Sequence, residues 1–293
     1  MTILITGVTG NIGGAVIDHL LTQKATVRGL VRDPKKATHL ESQGVELAIG
    51  DFSKPDRLDA VLQGIEAAFL MMPNDAHQVE LECNFIDAAK RAGVRHIVKL
   101  SVLRSGEVPS TFQQWHRQIE EYLEQSGVAW THLRPNMFMQ NMRWFAQTIA
   151  QQGVFYHSIG DTKISHVDGQ DVAAVAAVCL SQPGHENQAY DLTGAEAISF
   201  AQIASTFAKV LNRPVQYVQV SPAEFKAARL ANGEPEWYLD AEAQLFGCWQ
   251  AGAGSAITPT IAALLDRSPN SFEAFAQDYV QTHAQDFAIA AQG

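Results

Sequence analysis

The chain begins with an apolar strand that runs straight into a glycine-spaced turn: Thr2-Ile3-Leu4-Ile5-Thr6, then Gly7-Val8-Thr9-Gly10-Asn11-Ile12-Gly13. Helical spacing follows at once in Ala15, Val16, Ile17, Leu20 and Leu21. Strand, Gly-x-x-Gly-x-x-Gly and helix, in that order, is how a parallel α/β sheet builds a site for dinucleotide phosphates. Gly7 lets the chain leave the strand in a tight turn that a Cβ would obstruct. Gly10 lets a pyrophosphate approach the backbone, and Gly13 lets the helix pack close. The free N–H groups at the helix start, with the helix dipole behind them, favour negative charge. Thr9, Asn11 and Ile12 belong to the same turn and are assigned with the glycines to the cofactor site. The competing reading is a glycine-rich turn with no ligand.

Bulk properties narrow the class. The chain has 293 residues, 46% hydrophobic and 18% charged, which suits one large α/β domain or a main domain with a smaller lobe. A net charge of -10 argues against nucleic acid as a partner, because phosphate backbones need a basic face. Cys83, Cys179 and Cys248 are odd in number and widely spaced, without metal-ligand spacing. The expectation is a reduced, cytoplasmic protein without a metal; the strand at residue 2 leaves no room for a signal peptide. No apolar run approaches the roughly 18 residues of a membrane span.

Strand and helix patterns alternate through the first half. Residues 26–31, 45–49, 67–72 (closed by Pro73), 96–101 and 128–133 read as further strands. A helix rich in Phe85, Ile86, Ala88 and Ala89 ends near Gly93, and a long one runs from about Phe112 to Gln125. Alternation of this kind predicts a doubly wound parallel sheet with helices on both faces. Beyond about residue 136 the pattern turns helical. Phe155 and residues 163–167 read as short strands, 170–180 as an amphipathic helix, and 188–192 as a possible return to the sheet. Helices are expected at 200–211, 223–231, 236–251 and through Phe272, Phe275 and Tyr279. The division expected is a cofactor domain over 1–150, with about 163–193 returning to it, and a smaller lobe over 151–293 that shapes a substrate or partner pocket.

The end of the second strand reads Val31-Arg32-Asp33, with Lys35 and Lys36 close behind. NAD sites place an acidic residue there for the ribose 2′-hydroxyl, whereas an arginine takes a 2′-phosphate through its planar fork. NADP(H) is therefore favoured over NAD(H). Two alternatives stay open: a solvated basic loop, and Asp33 serving the hydroxyl. Gly50-Asp51-Phe52 would sit beside the adenine, with Asp51 accepting from its amine and Phe52 covering the ring edge. Asp51 reads equally as a helix N-cap.

Several blocks together resemble the NmrA-like group, atypical members of the short-chain dehydrogenase/reductase superfamily. They are the glycine turn, Val31-Arg32-Asp33, Gly50-Asp51-Phe52, Leu133-Arg134-Pro135-Asn136-Met137-Phe138-Met139-Gln140-Asn141, Ile164-Ser165-His166-Val167-Asp168 and Tyr190-Asp191-Leu192-Thr193-Gly194. The resemblance covers nearly the whole chain, less clearly after about residue 235. It implies a Rossmann-like domain that binds NAD(P) and a smaller, mostly helical C-terminal lobe. Some members reduce quinones or triphenylmethane dyes; others are redox-sensing regulators that bind the dinucleotide and a protein partner without turnover. A small aromatic or quinone-like substrate is the partner expected of the first kind, and a homodimer is compatible with either.

The Tyr-x-x-x-Lys pair of ordinary short-chain dehydrogenases is missing: no tyrosine is followed four places on by lysine. Hydride transfer to a quinone needs no strong acid, so this absence is compatible with a reductase. By the resemblance, His116 occupies the place of a catalytic lysine in isoflavone-type reductases. Glu120, one turn on, is placed to orient its ring. The alternatives are a helix histidine paired with a glutamate, or a ligand of the nicotinamide side. Ser101 stands where the superfamily places a substrate-orienting serine, and reads equally as a cap. Met71, Met72 and Pro73 would line the cofactor channel, Pro135 and Asn136 would approach the nicotinamide, and Phe138 would pack. Trp115, Trp144 and Phe145 offer an aromatic wall for a flat substrate, or plain core.

Overall fold

The computed structural model describes residues 1–283 and 287. Its main sheet contains β1 (Thr2–Ile5), β2 (Thr26–Val31), β3 (Glu46–Ile49), β4 (Ala67–Leu70), β5 (His96–Leu100) and β6 (Ala129–Pro135). After β7 (Val154–His157), β8 (Gln188–Leu192) adds the seventh strand, giving the order β3-β2-β1-β4-β5-β6-β8. Every neighbouring pair is parallel. The chain therefore reverses its direction of travel across the sheet between β1 and β4, which opens a crevice at the carboxyl ends of those strands.

The helices are α1 (Asn11–Thr22), α2 (Thr38–Ser42), α3 (Pro55–Leu62), α4 (Gln78–Ala92), α5 (Thr111–Ser126), α6 (Ala146–Gln152), α7 (Gly169–Ser181), α8 (Phe200–Leu211), α9 (Pro222–Ala231), α10 (Glu236–Gln250), α11 (Thr260–Leu265) and α12 (Phe272–Thr282). Because strand side chains alternate, Ile3 and Ile5 of β1 face one layer and Leu4 the other. The first layer packs Val16, Ile17 and Leu20 of α1 with Val172, Ala173 and Ala176 of α7. The second packs Leu58 and Leu62 of α3, Phe85 and Ala89 of α4, and Ile119 and Leu123 of α5. A third, phenylalanine-rich core of Phe155, Phe200, Phe207, Phe246, Phe272 and Phe275 belongs to the C-terminal half. There β7 pairs in parallel with β9 (Gln216–Gln219). Among the described residues no helix is long and apolar enough to cross a membrane.

Three expectations need correction. Residues 163–167 form no strand; they hold single bridges, Ile164 to Ile198 and Val167 to Phe138. Helix α7 is not amphipathic: Val172, Ala173, Val175, Ala176, Ala177 and Cys179 are all fully buried, because the sheet, α1 and α11 enclose it. Strand β6 runs two residues further than its apolar pattern, through Arg134 and Pro135. The pattern also missed β9 and α11, which are too short to establish a period.

The glycines of the first turn are not equivalent. Gly7 sits at φ +66, and a Cβ there would lie 2.9 Å from the Met71 side chain. A Cβ on Gly13 would lie 2.3 Å from the Gly7 carbonyl oxygen, whereas one on Gly14 meets nothing nearer than 3.6 Å. Gly13→Ala is expected to lower stability by about 1–3 kcal/mol by forcing the turn off the helix. Gly14→Ala is expected to be neutral or to stabilise by up to about 1 kcal/mol. Urea unfolding of the two variants measures the difference; equal effects would remove the packing role given to Gly13.

Candidate functional site

A cavity of about 510 Å³ opens at the carboxyl ends of β1, β2, β3 and β4. Gly7, Thr9, Gly10, Arg32, Asp51, Phe52, Met71, Met72 and Pro73 all line it. Its geometry is held by Thr6, whose hydroxyl donates to the carbonyls of Phe69 and Met71 and accepts from the Met71 N–H at 2.8 Å. This ties the end of β4 to the end of β1. Gly10 precedes α1 in extended conformation, and no side chain caps that helix. Its first N–H groups are thus left without a side-chain partner, beside the cavity.

Charge at the far end is set by β2. Asp33 is occupied as the cap of the short turn Pro34–Lys36, accepting from the Lys35 N–H at 3.0 Å. Arg32 is exposed, and its side chain makes no hydrogen bond or ion pair among the described residues; Lys36 lines the same wall. Asp51 is not a helix N-cap. Its carboxylate accepts from the Ser53 N–H at 2.9 Å and the Ser53 hydroxyl at 2.8 Å. These two bonds, with the nearby Arg32 charge assisting, hold its pKa below the ordinary carboxylate value. Phe52 is buried against Phe85, with ring centroids 5.0 Å apart.

Other assigned residues lie off the cavity. Asn11, Ile12 and Gly13 form the first turn of α1, Asn11 exposed and Ile12 buried in the core. Pro135 and Asn136 are buried at the end of β6. The Asn136 amide is committed to Ser165 Oγ at 2.9 Å and the Gly254 carbonyl at 2.8 Å, so it stitches β6 to the C-terminal half. Its Oδ1 is buried and has no hydrogen-bond partner among the described residues. The aromatic wall is also divided. Phe145 packs in the C-terminal core 5.2 Å from Phe155, and Trp144 is exposed beneath the Arg229 guanidinium. Trp115 pairs with Trp237 at 5.9 Å.

Two buried polar networks stand at the same edge of the sheet. Ser101, just after β5, donates to Glu120 Oε1 at 2.6 Å, and Arg134 donates to both Glu120 oxygens at 2.9 and 2.7 Å. Burial alone would raise the Glu120 pKa, but Arg134, His132 and Ser101 outweigh it and bring it down to about 2. Glu120 therefore does not orient His116, contrary to the i,i+4 expectation. The carboxylates of Glu120 and Glu124 approach His132, but Arg134 and Arg117 occupy them, which leaves no vacant negative charge for a cation.

The His116 ring lies instead between Lys99 on β5, 3.1 Å from Nδ1, and Gln78 on α4, 3.3 Å from Nε2. Glu82 accepts from both of those side chains. Burial, then the Lys99 charge, lower the His116 pKa well below the ordinary imidazole value. Sequence reasoning missed Lys99, Glu82 and Gln78. One signal was present: a lysine inside the apolar strand Ile97-Val98-Lys99-Leu100 must find a buried partner.

A parallel sheet of this order, with a glycine turn and a helix N-terminus opening onto a cavity at its switch point, defines a Rossmann-like protein. More narrowly, the chain belongs to the NmrA-like family, whose model matches residues 1–275. It is 36% identical over 289 residues to NAD(P)H azoreductase of Xenophilus azovorans, covering 98% of this chain and 100% of that protein. It is 34% identical over 288 residues to a (4-alkanoyl-5-oxo-2,5-dihydrofuran-3-yl)methyl phosphate reductase of Streptomyces griseus, covering 98% and 99%. The NADPH complex of the Escherichia coli NADPH-dependent quinone oxidoreductase superposes with a TM-score of 0.87 at 30% identity, covering 95% and 99%.

Proposed function

We propose that this protein is an NAD(P)H-dependent oxidoreductase, preferring NADPH, that delivers hydride to a quinone-like or otherwise conjugated acceptor. The observation that carries the reading is Arg32. Its guanidinium, without a hydrogen bond or ion pair among the described residues, stands on the wall of a cavity whose other end is a glycine turn and an uncapped helix N-terminus. That pairing of an anion cradle with a separate phosphate-sized cationic corner suits NADPH. The relatives support the chemistry, since their named acceptors, an azo group, an unsaturated lactone and a quinone, share conjugation rather than shape.

In this reading Gly7, Gly10 and the first turn of α1 hold the pyrophosphate, and Arg32 with Lys36 holds the 2′-phosphate. Asp51 and Phe52 border the adenine. Met71, Met72 and Pro73 wall the channel toward the nicotinamide, which supplies the hydride when bound. His116 is the polar group offered to the acceptor. Because the electron-poor acceptor takes hydride readily, the chain needs to position the two partners and exclude water rather than deprotonate anything.

The test follows NADPH absorbance with purified protein against a panel of quinones and azo dyes, with NADH in parallel. Acceptor-dependent oxidation, faster with NADPH, is the expected result. Saturable NADPH binding with no oxidation across the panel would replace the reductase by a dinucleotide sensor.

A further inference from the structure

Two hydrogen-bond donors are aimed at one neutral imidazole. Lys99 Nζ stands 3.1 Å from His116 Nδ1, and Gln78 Nε2 stands 3.3 Å from His116 Nε2. A neutral imidazole accepts at only one nitrogen and carries a proton on the other. Glu82 fixes both approaches, accepting from Lys99 at 2.6 Å and from Gln78 at 2.8 Å. Turning the Gln78 amide over would set its carbonyl oxygen against that carboxylate, so its N–H end must face the ring.

Charge decides the contest. The fully buried Lys99 ammonium has three protons and three acceptors: Glu82, the Leu100 carbonyl at 3.2 Å and His116 Nδ1. A charge-assisted bond of this kind outweighs a longer, neutral amide contact. The ring proton therefore resides on Nε2. A second proton on Nδ1 would oppose the ammonium directly. The charged groups around the ring are Lys99 on β5, Glu82 on α4, and Glu120 on α5 with Arg134 of β6 behind it. Of these, Lys99 disfavours protonation and Glu120 favours it, while burial dominates. The ring is left with an N–H on Nε2 that no acceptor among the described residues satisfies, facing an amide N–H of Gln78 in the same condition. An acceptor oxygen within reach of both N–H groups would relieve both.

We propose that Lys99 is a positioning residue that holds His116 as the neutral, Nε2-protonated tautomer, a hydrogen-bond donor for an oxygen of the acceptor substrate. With a quinone, hydride addition leaves an anionic oxygen. The Nε2–H stabilises that charge until the product leaves the site and takes its proton from bulk water. The role toward substrate rests on the reductase reading; the tautomer does not.

The experiment is ¹⁵N NMR of the histidine rings in the full-length protein, without cofactor or acceptor. His116→Gln identifies the His116 signals among the ten histidines. Wild type is expected to show a protonated Nε2 and a bare Nδ1, unchanged across about pH 6 to 8. In Lys99→Met the proton is expected to move to Nδ1, because Gln78 becomes the sole donor. If Lys99→Met does not fold, Gln78→Leu removes the competing donor instead, and the proton is expected to stay on Nε2; its move to Nδ1 overturns the proposal. A wild-type ring protonated on Nδ1 or on both nitrogens overturns it too, as does a Lys99→Met spectrum identical to wild type. In turnover, Lys99→Met is expected to lower kcat for a quinone roughly tenfold or more, with KM for NADPH unchanged. An unchanged kcat would refute the role toward substrate. Inactivity of wild type on every acceptor, with the tautomer as expected, would refute the reductase reading alone.

Discussion

Arg32→Ala is expected to weaken NADPH binding roughly 10- to 100-fold while changing NADH binding by less than about threefold. The reasoning is electrostatic. Arg32 is exposed on the cavity wall and makes no hydrogen bond or ion pair among the described residues, so its fork is free for a phosphate that only NADPH carries. Asp33, the acidic residue that would otherwise favour NADH, spends its carboxylate on the backbone of the next turn. Removing the guanidinium deletes one or two charge-assisted hydrogen bonds and leaves the glycine turn and the adenine wall intact. Lys36 remains as a point charge, so preference is reduced rather than reversed, and the residual NADPH affinity should fall further with added salt. Titration calorimetry with both cofactors measures the ratio. Equal losses for NADPH and NADH would sink the 2′-phosphate assignment.

Lowering the pH from about 6.5 toward about 4 is expected to remove most of the protein's stability. His132, His157 and His166 are buried, and burial is the main cause that brings their pKa values down to about 3, about 3 and about 4. His157 lies among the rings of Phe200, Phe225 and Phe246, and His166 beside Phe200 and Phe272. Such sites hold an imidazole only in its neutral form. In the unfolded chain the same rings protonate near their ordinary value of about 6.5, so below that pH the unfolded state binds more protons. Stability is therefore complete above about pH 6.5 and is lost as pH falls toward the folded values. Each ring contributes about 1.4 kcal/mol per pH unit, so three together contribute roughly 4. A domain stable by roughly 5–15 kcal/mol would reach its unfolding midpoint within a few pH units. Glu120, with its depressed pKa, adds to the loss only below about pH 4.5, its ordinary value. Urea unfolding at a series of pH values gives the slope directly. Stability that is flat between about pH 7 and 5 would contradict the neutral burial of these rings.

How far the site was legible depended on whether a residue's partner is near in sequence. Gly7, Gly10, Arg32, Asp51, Phe52 and Met71 all lie in the turns that follow parallel strands, and parallel strands deliver their carboxyl ends to one edge. Recognising the strands was therefore enough to bring these residues to one cavity. His116 and Glu120 show the opposite case. Their spacing on α5 makes them neighbours, yet Glu120 turns to Arg134 and Ser101 from two strands, and His116 turns to Lys99 and Gln78. Buried charges choose partners by burial and geometry, and a helical pair cannot compete with a bidentate guanidinium. The Asn136 NH2 group likewise finds its partners, Ser165 and Gly254, 29 and 118 positions on.

What the amino-acid sequence determined by itself is the frame: an alternating α/β order, a glycine turn that tolerates no Cβ at Gly7 or Gly13, and a basic corner after β2. These are local properties, set by backbone sterics and by the two-residue period of strands. Tertiary structure alone decided that α7 is enclosed on all sides, that β8 joins β6, and which of two adjacent titratable groups on α5 faces which strand. Those outcomes depend on contacts between segments far apart in the chain, where packing and the cost of an unpaired buried charge outweigh any local preference.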